Sequence, residues 1–228
     1  MASMGPFLLT HCIYRIRATG THYLPASGGV VLVGNHVSFA DVVVLQAALP
    51  RAIRYLGAVW LFERWWLRWV MKWFEVIPVA RTRPREAIQR AARSLEDGEV
   101  VCLFPEGGIS RDGELQELRA GFSAMARLAG APVVPFYIDG LSRSIFSFHG
   151  GRFFWKLPKG IRPEVRISLG SPLEPDEMNP AAARRRVLEL KRSLQETRTA
   201  ESGKAQERFS LNFTYLSAAE GGLQAGLT

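Results

Sequence analysis

Residues 29–41 read Gly-Val-Val-Leu-Val-Gly-Asn-His-Val-Ser-Phe-Ala-Asp, an apolar run followed at once by polar residues. The apolar part, residues 29–34, predicts a short buried strand, and residues 38–49 predict the helix that follows it. In open α/β sheets, ligands bind beyond the carboxyl ends of the strands. We therefore expect His36 and Asp41, which follow this strand, to lie where a substrate can reach them.

The Asn-His-x-x-x-x-Asp spacing has two interpretations. A neutral imidazole oriented by a carboxylate is the commonest general base near neutral pH. Ser38 and Asp41 also form a helix-start pattern, with Ser38 as the N-cap and Asp41 in the first turn, where a carboxylate favours the helix dipole. On this motif alone, the catalytic and structural interpretations are equally supported.

A second motif, Leu-Phe-Pro-Glu-Gly-Gly-Ile-Ser-Arg at residues 103–111, follows another predicted strand at residues 99–104. Adjacent glycines allow a ligand to approach the backbone closely, and consecutive N–H groups can form an anion-binding nest. Arg111 would add a forked donor for phosphate. Taken alone, this stretch is better interpreted as an ordinary turn, because Glu-Gly-Gly and Arg-Asp-Gly are turn-rich.

Together, the two motifs resemble the glycerolipid acyltransferase family, which includes the lysophosphatidic acid acyltransferases. That family carries an Asn-His-x-x-x-x-Asp block, a basic phosphate-binding block, a Phe-Pro-Glu-Gly block and a Val-Pro block. The matching stretches are 35–41, 76–81, 104–111 and 134–136, in the same order. The resemblance covers roughly residues 20–195 and implies a glycerol-phosphate acyltransferase-like fold.

The chain departs from the family pattern at two places that bear on the acceptor's phosphate. Ile109 stands where the family usually has the arginine of Glu-Gly-Thr-Arg. Phe74 and Glu75 stand where a glycine often precedes the hydrophobic part of the second block. Residues 137–151 look like a subgroup related to lysophosphatidylethanolamine acyltransferases, which leaves that lysophospholipid as an alternative acceptor to 1-acyl-glycerol-3-phosphate.

The resemblance implies an O-acyltransferase that needs no cofactor and uses acyl-CoA or acyl-carrier protein as co-substrate. His36 would remove a proton from the acceptor hydroxyl, and Asp41 would hold the imidazole tautomer. Arg81 would bind the acceptor phosphate. The residues that would shape the same pocket are Glu106, Gly107, Gly108, Ser110 and Arg111.

Composition narrows the class of protein. A chain of 228 residues with 47% hydrophobic content is typical of one domain, and a net charge of +8 suits an anionic partner. No nucleic-acid-binding motif accompanies that charge, so lipid or an acidic carrier is favoured over nucleic acid. Cys12 and Cys102 form no framework, which favours a reducing, cytoplasmic location. No apolar run is long enough to span a bilayer, and the N-terminus lacks a signal-peptide pattern.

Residues 60–74 contain five of the six tryptophans, namely Trp60, Trp65, Trp66, Trp69 and Trp73. Arg64, Arg68 and Lys72 recur every four residues and would form a basic stripe on one helix. Tryptophan favours the headgroup boundary, so these five residues predict peripheral, monotopic contact with the cytoplasmic face of a membrane. The alternative is a helix whose aromatic side chains pack into the core.

Alternating strand and helix patterns predict an α/β fold with one mixed, mostly parallel sheet covered by helices. We expect an acyltransferase domain at residues 1–198 and a loosely ordered tail at 199–228. The remaining histidines show no metal-ligand spacing, so no metal site is predicted. No Gly-x-Ser-x-Gly elbow is present, which disfavours a lipase or thioesterase. A peripheral lipid-binding protein without catalysis remains the non-enzyme alternative.

Overall fold

The structure is a computed structural model. The residues it describes are 13–63, 65–80, 82–110, 114–141, 163–174 and 177–224, with side chains described for all of these except 66 and 205–224. The chain divides into two compact units with the boundary after Lys191. The first unit contains all the strands given below.

Seven strands in the described residues form one sheet with the order β1-β7-β6-β2-β5-β3-β4. Every neighbouring pair is parallel except β6 and β7, which are antiparallel. The strands are β1 Arg15–Thr19, β2 Val30–Gly34, β3 Ile53–Ala58, β4 Ile77–Val79, β5 Val100–Leu103, β6 Val133–Asp139 and β7 Glu164–Leu169. This mixed, mostly parallel sheet confirms the predicted fold class.

Strand β2 lies at the centre of the sheet, and all five of its residues are buried. Val31 is paired with Val101 of β5 on one side and with Val133 of β6 on the other. A strand covered on both faces can hold only apolar side chains, which is why this segment reads as a continuous Val-Leu run. The three central strands therefore point the same way and end at the same edge.

Five α-helices accompany the sheet in the described residues. They are α1 Ala40–Ala48, α2 Trp65–Trp73, α3 Pro84–Glu96, α4 Gly121–Ala129 and α5 Pro180–Gln224, with short 3₁₀ helices at Thr21–Tyr23 and Val59–Glu63. None of the helices that the structure describes combines the length and apolar character that a bilayer-spanning segment requires. Helix α1 matches the helix predicted at residues 38–49 to within two residues, and α2 lies within the tryptophan-rich segment at 60–74.

Helix α5 continues to Gln224, past residue 198, where the sequence predicted the acyltransferase domain to end. Residues 198–208 are mostly strong helix formers, and they sustain a helix although they carry no apolar periodicity. Residues 199–224 are thus helical. The loosely ordered tail expected at residues 199–228 and the division at residue 198 both stay predictions.

Glu75 terminates helix α2 in an uncommon backbone conformation. Its φ is 47°, and the Val76 N–H donates to the Met71 carbonyl at 2.9 Å, which is the Schellman pattern of a helix end. Glycine usually occupies this left-handed position because other residues pay roughly 1–2 kcal/mol there. Glu75 stands at a point where the family often has a glycine, and it keeps the left-handed backbone conformation that glycine favours.

Candidate active site

The carboxyl ends of β2 and β5 place the two sequence motifs side by side. These strands are parallel neighbours, and their pairing runs from Val30 opposite Val100 to Val33 opposite Leu103. His36 therefore follows β2 at the same edge of the sheet at which Phe104 and Glu106 follow β5. Residues 70 positions apart in the sequence become direct neighbours there.

His36 and Asp41 form a close pair. The His36 Nδ1 atom lies 2.8 Å from Asp41 Oδ2, and the same oxygen accepts the Val37 N–H at 2.8 Å and the Ser38 N–H at 3.0 Å. Asp41 is fully buried, whereas the His36 side chain keeps 14% of its surface exposed. Since a carboxylate can only accept hydrogen bonds, a neutral imidazole in this contact carries its proton on Nδ1 and its lone pair on Nε2.

The hydrogen bonds at the start of helix α1 match the predicted cap. The helix is assigned from Ala40, and Phe39, with φ −61° and ψ −23°, already has helical backbone angles, which leaves Ser38 at the cap position. The Asp41 carboxylate turns back onto the loop, and Ser38 Oγ accepts the Ala40 N–H at 3.1 Å. Asp41 therefore serves the loop that carries His36, in addition to its place in the first turn.

Phe104 contacts the imidazole ring of His36 and restricts its orientation. The two rings stack with centroids 4.1 Å apart and planes 15° apart. Phe136 meets Phe104 edge-on at 6.0 Å, and it lies so close to Gly34 that a Cβ there would approach its ring to 2.4 Å. Sequence reasoning did not single out Phe104 as a site residue, although it begins the Phe-Pro-Glu-Gly block.

The loop after β5 bonds directly to the main chain of His36. Glu106 Oε1 accepts the His36 N–H at 2.8 Å, and the Ser110 N–H donates to the His36 carbonyl at 2.8 Å. Glu106 Oε2 accepts the Gln116 N–H at 2.9 Å. Burial raises the pKa of Glu106, and these two backbone hydrogen bonds partly oppose that rise. Ser110 is buried, and its hydroxyl donates to the Glu114 carbonyl at 2.9 Å.

The two glycines of this loop have different surroundings. Gly107 adopts a φ of 76°, and a Cβ at this position would lie 2.9 Å from Cζ of Arg119. At Gly108 an added Cβ would meet no atom of the described residues within 4 Å, so among these residues its backbone is open to a ligand. Arg119 was not predicted as a site residue, because only the folded loop brings it back to the Glu-Gly-Gly turn. Its guanidinium makes no hydrogen bond or ion pair with the residues that the structure describes.

Asn35 has a structural environment. Its side-chain amide donates to the Ile138 carbonyl at 2.9 Å, and its oxygen accepts the Ile138 N–H at 2.8 Å. These paired bonds join the end of β2 to β6. Asn35 therefore fixes the turn that presents His36.

Two predicted binding residues, Arg81 and Arg111, lie outside the described residues.

The tryptophans of helix α2 and the preceding turn are exposed, with 55% of Trp60, 80% of Trp65, 76% of Trp69 and 57% of Trp73 accessible to solvent. The core-facing side of α2 is formed instead by Leu67 and Met71, which are buried. The side chain of Trp66 is not among those described.

Comparison with known proteins supplies independent evidence on the family. The family model described as acyltransferase matches residues 15–139. The chain is 31% identical over 147 residues to a chloroplastic 1-acyl-sn-glycerol-3-phosphate acyltransferase of Arabidopsis thaliana, covering 63% of this chain and 41% of that protein. It is 32% identical over 131 residues to the 1-acyl-sn-glycerol-3-phosphate acyltransferase of Bacillus subtilis, covering 57% of this chain and 65% of that protein.

A solved structure agrees with the fold. The crystal structure of the 1-acyl-sn-glycerophosphate acyltransferase from Thermotoga maritima matches with a TM-score of 0.63 and 21% identity, covering 84% of this chain and 78% of that one. The chain spans about two fifths of the length of the Arabidopsis relative. Because the family model matches more than half of the residues, the chain belongs to the acyltransferase family.

Proposed function

We propose that this protein transfers a fatty acyl chain from a thioester donor to the free hydroxyl of 1-acyl-glycerol-3-phosphate. The observation that carries the proposal is the pairing of His36 with buried Asp41 at 2.8 Å at the carboxyl end of β2, beside the Glu-Gly-Gly loop. The names of the relatives support this acceptor, since those cited above are 1-acyl-sn-glycerol-3-phosphate acyltransferases.

In the proposed reaction, His36 is the general base. Its Nε2 takes the proton of the acceptor hydroxyl while that oxygen attacks the thioester carbonyl and forms a tetrahedral intermediate. The intermediate collapses with cleavage of the C–S bond, and the imidazolium returns its proton to the departing sulfur. Asp41 holds the tautomer and stabilises the imidazolium, so that no acyl-enzyme is required.

The acceptor's phosphate would be held at the Glu-Gly-Gly turn. Gly108 leaves its backbone accessible. Arg119 supplies a guanidinium beside Gly107, two residues before Ile109, which stands where the family usually has an arginine. Arginine binds phosphate through paired, charge-assisted hydrogen bonds. Arg81 and Arg111 remain proposed contributors on the basis of their places in the sequence, and Ser110 is proposed to hold the loop through its buried hydroxyl.

The membrane surface is the proposed location of the lysophospholipid. Trp65, Trp69 and Trp73 recur every four residues on the exposed side of α2, and Arg68 and Lys72 recur with the same spacing. Tryptophan rings partition into the headgroup region, and basic side chains meet anionic phosphates. Leu67 and Met71 anchor the other side of the helix to the core, which supports membrane contact over burial of the tryptophans.

The proposed donors are acyl-CoA and acyl-carrier protein, and the proposed location is the cytoplasmic face. The net charge of +8 suits an acidic carrier as well as anionic lipid. The buried, unpaired thiol of Cys102 is compatible with a reducing compartment. A peripheral protein that meets both a soluble donor and a membrane lipid would work at that surface.

The test is product identification by mass spectrometry. Purified protein on phosphatidylglycerol-containing vesicles is given each donor with either lysophosphatidic acid or lysophosphatidylethanolamine. We expect phosphatidic acid to form at least ten times faster than phosphatidylethanolamine. The reverse order would replace the proposed acceptor, and no product from any pair would favour a lipid-binding protein without catalysis.

A further inference from the structure

We propose that Glu106 is a positioning residue, which holds the main chain of His36 in place and does not bind the acceptor. This inference rests on the proposed function, because it assigns a role within the same site. It changes the expectation from the sequence, in which Glu106 shaped the acceptor pocket together with Gly107 and Arg111.

Both oxygens of the Glu106 carboxylate are already engaged in hydrogen bonds. Oε1 accepts the His36 N–H at 2.8 Å, and Oε2 accepts the Gln116 N–H at 2.9 Å. A half-buried carboxylate whose two oxygens accept backbone N–H groups is anchored by the protein itself. It also closes the loop between residues 106 and 116, which contains both glycines of the turn.

Contacts from two sides hold both the main chain and the imidazole ring of His36. Glu106 holds its N–H, and the Ser110 N–H donates to its carbonyl at 2.8 Å. Phe104 sets the plane of the imidazole, and Asp41 sets its rotation through Nδ1. Since a general base must be within hydrogen-bond distance of the proton it removes, a shift of the His36 backbone would move Nε2 out of reach.

The negative charge of Glu106 also disfavours direct contact with the acceptor. A carboxylate repels the phosphate of the acceptor, so Glu106 is poorly suited to bind that group directly. The chain provides cationic and N–H groups for it beside the same turn, at Arg119 and Gly108. Glu106 is therefore better suited to hold the main chain of His36 than to bind the acceptor.

Steady-state kinetics of Glu106→Gln separate the two roles. The amide keeps the size of the side chain, yet it presents an NH₂ group to one of the two backbone donors. We expect kcat to fall by roughly 10- to 100-fold while KM for lysophosphatidic acid changes less than about twofold. A rise in KM with kcat unchanged would overturn the proposal. Glu117→Gln is the matched control, because Glu117 is an exposed carboxylate of the same segment, and both constants should stay at their original values.

A spectroscopic measurement tests the inference even if acyl transfer itself is not observed. In protein labelled with ¹⁵N-histidine, we expect one amide proton to lie far downfield because it donates to a carboxylate, and to move upfield in Glu106→Gln. An unchanged histidine amide spectrum would overturn the proposal. If Glu106→Gln does not fold, as judged by circular dichroism, Glu106→Asp replaces it in both experiments, because its shorter side chain must break the same bond. Absence of activity in the parent protein would instead count against the proposed function.

Discussion

The imidazole of His36 lies almost parallel to the ring of Phe104, with centroids 4.1 Å apart and an interplanar angle of 15°. This contact joins the two loops that follow β2 and β5, and it leaves the imidazole with a fixed plane. Phe104 in turn lies between Tyr55, whose ring is stacked at 6.4 Å, and Phe136. The orientation of the proposed base is thus set by the aromatic core beneath it.

Phe104→Leu is expected to lower kcat by about tenfold, because a branched aliphatic side chain removes the stacking surface that fixes the imidazole. Stability should fall by about 1 kcal/mol, the typical contribution of an aromatic pair. Kinetics and urea unfolding measure the two effects. Phe74→Leu is the matched control, since Phe74 contacts Tyr55 and Trp73 at the end of α2. Equal loss of kcat in both variants would mean that the His36–Phe104 contact has no specific role.

Arg119→Ala is expected to raise KM for lysophosphatidic acid by roughly 10- to 100-fold, the range that a charge-assisted hydrogen bond of about 1.5–3 kcal/mol provides. Its kcat at saturating acceptor should change little, because the guanidinium is proposed to bind the phosphate in both ground and transition states. Initial rates against acceptor concentration give both constants. Arg90→Ala, on the exposed side of α3, controls for the loss of one positive charge. An unchanged KM in Arg119→Ala would remove this residue from the acceptor site.

Replacing Trp65 and Trp69 by alanine is expected to weaken binding to phosphatidylglycerol vesicles by on the order of tenfold per tryptophan, since a buried aromatic side chain contributes roughly 1.5–3 kcal/mol. Added salt should also weaken binding of the parent protein, because salt screens the attraction of Arg68 and Lys72 to the anionic lipid. Cosedimentation measures both effects. Leu128→Ala is the control, as Leu128 is 60% exposed on α4. Full vesicle binding by the double variant would contradict the proposed membrane surface.

The stability of the protein should respond to pH through Glu106. Burial raises the pKa of this carboxyl above its ordinary value. Between the two pKa values, folded protein holds a proton that unfolded protein has released, so folding is favoured below the ordinary pKa, about 4.3, and loses this contribution as pH rises through the folded pKa. The stability of the parent protein relative to Glu106→Gln should therefore fall as pH rises through that window. Urea unfolding at a series of pH values measures the difference, and a rise with pH would mean that the shift has the opposite sign.

The sequence was sufficient for the central strands because their residues are buried on both faces and read as unbroken apolar runs. Strand β1 was not predicted, since the charged residues Arg15 and Arg17 alternate with partly buried ones at the edge of the sheet. The continuation of helix α5 past residue 198 was not predicted, because its later part depends on helix propensity and lacks apolar periodicity. Periodicity therefore identifies the elements that build the core better than those outside it.

In the proposed site, too, contacts between residues close in the sequence were predicted better than contacts between distant residues. His36 and Asp41 are five residues apart in the sequence, and the resemblance to the acyltransferase family implied their contact, which the structure contains. Phe104 and Arg119 were missed because their contacts with His36 and Gly107 depend on how the loop after β5 folds back on itself. The hydrogen bond between Glu106 and the His36 N–H is equally non-local, and only the parallel pairing of β2 and β5 brings those groups together.

The most direct test of the account is the rate of acceptor-dependent thiol release from acyl-CoA by the parent protein and by His36→Ala. With lysophosphatidic acid as acceptor, we expect His36→Ala to lose on the order of 10²–10⁴ in rate, as removal of a general base does. His22→Ala, which replaces a histidine whose ring lies tilted against Tyr23, should keep the parent rate. Retention of the full rate by folded His36→Ala would contradict the assignment of His36 as the base.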